Sequence, residues 1–326
     1  MERLPTFVLE RPATLAQAVE ALSRTEGARL IGGGTDLVPN LRDGLGAPPV
    51  LVDLAGVRGF AAIEFGGHGA RVGAGATIAR LAADPAVARD YRAVVEAAAT
   101  IAGPGHRSVA TVGGNLCLDT RCVYYNQSEW WRRSNGYCLK HRGDTCHVAP
   151  TGDRCHAAFM GDLAPAFMVH GARVEIAGPG GTRTIALDEL YRDDGRAHLA
   201  LARGEIVAAV LLPPPGAARS AYRKARPRGA IDFPLAGVAV RFAGDAKRIV
   251  AIDVALTGTN SRPFRLEGTG GWVGRPVDES LVAEVGKAVQ KQVAPMRTTL
   301  MAANWRRQVA AVHAQRLVRE LAGPAP

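Results

Sequence analysis

All five cysteines of this 326-residue chain fall between Cys117 and Cys155, a crowding that points to a local metal or cluster site. Cys122, Cys138, Cys146 and Cys155 are spaced C-x15-C-x7-C-x8-C, unlike the paired C-x2-C of zinc ribbons or the C-x2-C-x2-C of bacterial ferredoxins. Four thiolates suit a [4Fe-4S] cluster and a tetrahedral zinc ion equally, and Cys117, His141, His147 and His156 leave other ligand sets open. An isolated cysteine is usually a small core residue, but four thiols in a polar loop have no packing reason to be there. A disulfide framework does not fit either, because a chain this long builds a core without staples.

Two glycine-rich turns are the second chemical feature: Gly32-Gly33-Gly34-Thr35-Asp36-Leu37 and Thr111-Val112-Gly113-Gly114-Asn115-Leu116. Such turns present several N–H groups and can cradle a phosphate or pyrophosphate ahead of a helix. Thr35 and Thr111 offer further donors, and Asp36 or Asn115 can fix the turn; singly, either motif is more often a plain tight turn. Gly73-Ala74-Gly75 is followed by Ile78 where a dinucleotide fingerprint needs Gly or Ala, and Gly286-Lys287 precedes Ala288 instead of Ser or Thr. A Rossmann or P-loop site is therefore not expected. No catalytic dyad or triad is recognisable.

These motifs need elements to position them. Thr14 to Gln17 reads as a capping box opening a helix, with Leu15, Ala18, Val19 and Leu22 as its buried stripe. A strand from about Arg29 runs into the first glycine turn, and further strands are expected over 51–54 and 70–75. An alanine-rich helix over 91–101 stops at Gly103-Pro104-Gly105. Residues 117–156 show no sustained period, and long loops of that kind are usually functional. Alternation resumes over 166–169 and 172–176, and a strand over 206–212 precedes the boundary at Pro213-Pro214-Pro215. Beyond it, strands over 237–242 and 249–256 and helices over 278–293 and 297–321 predict a small α+β domain.

Composition supports a globular chain, with 47% hydrophobic and 21% charged residues. No apolar run approaches the ~18 residues of a membrane span, and Glu2 interrupts the basic-then-apolar order of a secretory signal. A cytoplasmic protein without membrane contact is expected. The formal charge of +10 suits an acidic partner or nucleic acid, but arginine is spread along the whole chain, as on a solvated basic face.

The first glycine turn is similar to the A-G-G-T-D-L loop, and Thr111 to Asn115 to the T-I-G-G-N loop, of the flavoprotein subunits of molybdenum hydroxylases, the xanthine dehydrogenase family. Gly73-Ala74-Gly75-Ala76-Thr77-Ile78, Gly161-Asp162-Leu163-Ala164-Pro165-Ala166 and Asp232-Phe233-Pro234-Leu235-Ala236-Gly237 resemble further family segments in the expected order. The resemblance covers nearly the whole chain. It implies an α+β fold: a vanillyl-alcohol-oxidase (PCMH) type FAD domain of two subdomains, 1–56 and 57–215, then a C-terminal α+β domain, 216–326, with a three-stranded sheet. It implies that Leu30, Ile31, Gly32, Gly33, Gly34, Thr35, Asp36 and Leu37, with Thr111, Val112, Gly113, Gly114 and Asn115, hold the FAD pyrophosphate. Thr77, Ile101, Asp162, Val207 and Lys224 match other cofactor-contacting positions, with Arg223 an alternative to Lys224.

Most of the family lacks the insertion at about 117–157. It resembles the one in the corresponding subunit of 4-hydroxybenzoyl-CoA reductase, which binds an additional [4Fe-4S] cluster. The resemblance thus implies Cys122, Cys138, Cys146 and Cys155 as cluster ligands, with Cys117 left over. It implies an electron-transfer role in reductive dehydroxylation of 4-hydroxybenzoyl-CoA to benzoyl-CoA, part of anaerobic aromatic breakdown. The implied partners are a large molybdenum-cofactor subunit where substrate reacts, a small subunit with two [2Fe-2S] clusters, and reduced ferredoxin as donor, in a pair of three-subunit units. Between 121 and 155 six Lys/Arg stand against three acids, so Arg132 and Arg133 are expected to steer an acidic ferredoxin, and Trp130 and Trp131 to cover the cluster. Two rivals stand beside this: a family FAD subunit using NAD or quinone with a zinc-stabilised insertion, and a basic zinc module binding nucleic acid.

Overall fold

The structure, a computed structural model, describes residues 3–324. It opens with β1 (Val8–Glu10), α1 (Leu15–Arg24), β2 (Arg29–Ile31), α2 (Leu37–Arg42) and β3 (Val50–Asp53), whose strands form an all-parallel sheet in the order β1-β3-β2. The central β3 is apolar and buried, as a parallel strand covered on both faces must be. The capping box forms: Thr14 Oγ1 accepts from Gln17 N at 3.2 Å, and Gln17 Oε1 from Thr14 N at 3.2 Å.

A second sheet follows, antiparallel and in the order β4-β5-β8-β6-β7. It comprises β4 (Ile63–Gly66), β5 (Gly69–Gly73), β6 (Arg173–Gly178), β7 (Gly181–Ala186) and β8 (Ile206–Leu212). Between β5 and β6 run α3 (Ile78–Ala83), α4 (Pro85–Asp90), α5 (Arg92–Thr100), α6 (Pro104–Arg107), α7 (Val112–Leu116), α8 (Glu129–Ser134) and α9 (Leu163–Met168). The apolar run at 166–169 thus belongs to a helix where alternation predicted a strand. Every residue of α9 is buried, and a short run that is apolar on all sides carries no period to tell helix from strand. The insertion, read as aperiodic, contains one helix, α8, whose N-cap Ser128 accepts from Trp131 N at 3.3 Å.

The third sheet, β12-β11-β10-β9, is built from β9 (Arg219–Ala225), β10 (Ala236–Gly244), β11 (Ile249–Thr257) and β12 (Phe264–Arg265) and backed by α10 (Glu279–Gln292) and α11 (Ala303–Ala322). Three long strands carry it, and the fourth is a two-residue edge. The last helix starts at Ala303, later than its apolar pattern suggested, because buried Arg306 holds the preceding segment open through Met296 O (2.9 Å) and Thr298 Oγ1 (3.2 Å). One core joins the first two sheets, a second lies between the third sheet and its helices, and a small third one, with Leu45, Tyr125 and Ala157, surrounds Cys122, Cys138 and Cys155.

Candidate functional site

The two glycine turns, about eighty residues apart in sequence, lie against each other. A Cβ on Gly33 would stand 2.0 Å from Val109 O, and one on Gly32 2.9 Å from Thr111 Oγ1, so only glycine lets the backbones approach this closely. Gly34 has φ +70°, the left-handed conformation that turns the chain into α2. The second turn is pinned from below: Val112 N donates to Ala76 O (2.9 Å), Gly113 N to Ala74 O (2.7 Å), and Thr111 Oγ1 accepts from Gly114 N (3.1 Å). From Leu30 to Val38 the first turn is half-buried and Gly114 is exposed, leaving an open backbone cradle. Asp36 pairs with Arg121, and its Oδ2 accepts from Asp119 N at 3.4 Å.

The other expected cofactor residues gather at the same seam. Thr77 caps α3 and bridges to Thr111. Ala208, next to Val207 on β8, accepts from Ala74 N at 2.9 Å, which places Val207 one hydrogen bond from the second turn's anchor. Asn115 Oδ1 accepts from Leu163 N at 3.0 Å, directly after Asp162. Asp162 is buried and receives Tyr222 Oη at 2.7 Å and Lys224 Nζ at 3.0 Å. Burial works against both charges, raising the Asp162 carboxyl and lowering the Lys224 ammonium. Lys224 also donates to Thr100 O (3.2 Å), beside Ile101. Arg223 instead faces outward to Glu320 at 2.6 Å, which separates it from Asp162. Tyr222 was not among the expected residues; alternation along β9 pairs it with Lys224, but β9 itself carried no readable strand signal.

The four spaced cysteines line one pocket with Tyr124, Tyr125, Lys140 and His147, whereas Cys117 packs against the main core. Among the described residues, no three His, Cys, Asp or Glu side chains converge closely enough for a single metal ion. Burial pushes the Cys122 thiol up to about 12 and the Cys155 thiol to about 11. The Cys155 sulfur accepts from Ala157 N at 3.4 Å.

Comparison with known proteins decides the family. Residues 5–215 match the FAD binding domain in molybdopterin dehydrogenase, and residues 220–321 match the CO dehydrogenase flavoprotein C-terminal domain. The chain is an FAD-binding subunit of the molybdenum hydroxylase family. It is 35% identical to the aldehyde oxidoreductase FAD-binding subunit PaoB of Escherichia coli over 81% of this chain and 85% of that one. It is 27% identical to the carbon monoxide dehydrogenase medium chain of Afipia carboxidovorans over 96% of both. In fold it superposes on reconstituted CO dehydrogenase from Oligotropha carboxidovorans with a TM-score of 0.81 at 24% identity, covering 98% of this chain and 99% of that one.

Two expectations about the insertion of this FAD-binding subunit are corrected. Arg132 is no steering charge: it is 1% exposed and donates to Asp43 O (2.8 Å), Gln127 O and Glu129 Oε2 (2.8 Å), tying α8 to the loop after α2. Trp130 does not cover the cysteines, because it is 66% exposed. Trp131, half-buried, stands 6.1 Å centroid to centroid from Tyr124, which lines the pocket. Helix spacing explains the split, since neighbouring residues on α8 point to different faces. Among the described residues no helix is long and apolar enough to cross a membrane.

Proposed function

We propose that this subunit holds FAD across its two glycine turns and a [4Fe-4S] cluster on Cys122, Cys138, Cys146 and Cys155, and carries electrons between a molybdenum-bearing large subunit, a small [2Fe-2S] subunit and an external partner. One observation carries the cluster reading: four thiols spread over the insertion line a single pocket while the fifth lies elsewhere. The resemblance of the cysteine-bearing insertion to that of 4-hydroxybenzoyl-CoA reductase favours a four-iron cluster over zinc. Flavin supplies the exchange between two-electron and one-electron chemistry when bound. The protein's own part is to approach the diphosphate with bare backbone at Gly32, Gly33, Gly113 and Gly114, to fix Asp162 through Tyr222 and Lys224, and to keep water from the thiols with Tyr124 and Tyr125.

The substrate reacts on the large subunit. Aldehyde oxidation is the reading that the 35% identical relative supports. Reductive dehydroxylation of 4-hydroxybenzoyl-CoA with reduced ferredoxin is the second reading, favoured by the cysteine-bearing insertion. Anaerobic purification of the complex followed by absorption spectroscopy and metal analysis tests the core proposal. Flavin with about eight irons per three-subunit unit, about four of them beyond those of the small subunit's two [2Fe-2S] clusters, and no zinc is expected; zinc with only the small subunit's irons overturns it. Assaying the same preparation with an aromatic aldehyde and an artificial acceptor, and with 4-hydroxybenzoyl-CoA and reduced ferredoxin, separates the two substrates.

A further inference from the structure

Lys140 is the one insertion lysine, and its side chain is only 5% exposed. Its Nζ donates to Asp119 Oδ1 (2.7 Å), Thr120 O (2.8 Å) and Thr120 Oγ1 (2.6 Å), and lies 4.2 Å from the Tyr125 ring centroid. Lys140 lines the cysteine pocket, and Asp119 does not. The cationic partner of the ion pair is thus a wall residue of the cysteine pocket, and the anionic partner lies outside that wall. Behind it Asp119 N reaches Asp36 of the first glycine turn (3.4 Å), and Arg121 pairs with that same Asp36. The pair thus occupies the ground between the cysteine pocket and the flavin cradle.

A buried lysine is expensive to keep charged unless it is paired, and Asp119 Oδ1 pairs with Lys140 Nζ at 2.7 Å. Such a pair contributes little net stability compared with an apolar replacement. Its position supplies another reason to keep it. Four thiolates in a buried pocket repel one another, and in this low-dielectric setting a single nearby cation acts strongly on them. The potential of a thiolate-held cluster depends on nearby charge and on hydrogen bonds to its sulfurs. Lys140 supplies the charge, and Ala157 N supplies a hydrogen bond to Cys155 (3.4 Å).

We infer that Lys140, oriented by Asp119 and Thr120, is the positioning counter-charge of the four-cysteine site, and that it raises the reduction potential of the cluster held there. This rests on the cluster reading above. Asp119 and Thr120 hold the ammonium in one place by accepting its three hydrogen bonds.

The test compares K140M and K140R with wild type in the assembled complex, measuring iron, sulfide and flavin content and the cluster midpoint potential by EPR-monitored redox titration. The expected result is unchanged flavin in all three, a lowered potential in K140M, and a potential in K140R close to wild type. Iron lost from K140M but kept in K140R supports the counter-charge equally, since the charge is then needed to assemble the thiolates. An unchanged or raised potential in K140M overturns the inference, as does K140R tracking K140M in potential or in iron loss. A wild type holding only about four irons, those of the small subunit's clusters, instead removes the cluster reading itself, so the two failures are distinct.

Discussion

The cradle of glycine turns and the cysteine pocket sit side by side and are made differently. The cradle is backbone: its defining contacts are close approaches at Gly32 and Gly33 and main-chain hydrogen bonds from Val112 and Gly113. The pocket is made of side chains, and its walls are hung from elsewhere. Val123 N, next to Cys122, donates to Thr298 O at 2.9 Å; Cys155 O accepts from Ser261 Oγ at 3.2 Å; Arg132 grips Asp43 O. Both are closed by distant segments, but the cradle asks of each turn only bare glycine backbone, whereas the pocket needs particular side chains to hold its rim.

The sharpest way to break that contrast is Gly33→Val. The added carbons would meet Val109 O, the turns must separate, and flavin affinity should fall by at least ~tenfold, read from the flavin-to-protein absorbance ratio. Retention of full flavin would show that the close approach is dispensable. Next in size, Cys138→Ser should remove the iron beyond that of the small subunit's clusters while leaving flavin in place, because the pocket and the cradle share no ligand; joint loss of both would show that they form one unit.

A smaller effect follows pH. Burial holds His170 and His198 neutral, with pKa values pushed down to about 4 from 6.5. The unfolded chain therefore takes up protons first, and stability present above pH ~6.5 falls as pH drops toward ~4, by on the order of 3 kcal/mol per histidine. His198 stands near Asp119 and Lys140 on the cysteine side, and His170 packs on Tyr91 at 5.2 Å in the main core. His170→Phe should flatten the slope in thermal melts followed by circular dichroism, while iron retention is unchanged. The smallest effect is at the surface: exposed Arg133→Glu should change stability by no more than about 0.5 kcal/mol. The same change at buried Arg132 should unfold the insertion, seen as iron loss.

The chain alone determined the two glycine turns, the crowding of five cysteines in one loop, the capping box at Thr14 and most of the long strands. Each is written in local residue types whose backbone or packing demand is independent of context: glycine where Cβ has no room, a period of two where one face is buried. Tertiary structure decided the rest. It made α9 a helix inside a wholly apolar run and started α11 at Ala303. It turned Arg132 inward and left Trp130 outside, and it chose Lys224 over Arg223 as the partner of Asp162. In every one of these cases the local sequence permits two states of similar energy. The choice falls to burial and hydrogen bonding by groups far away in the chain, such as Asp43 for Arg132 and Thr100 for Lys224.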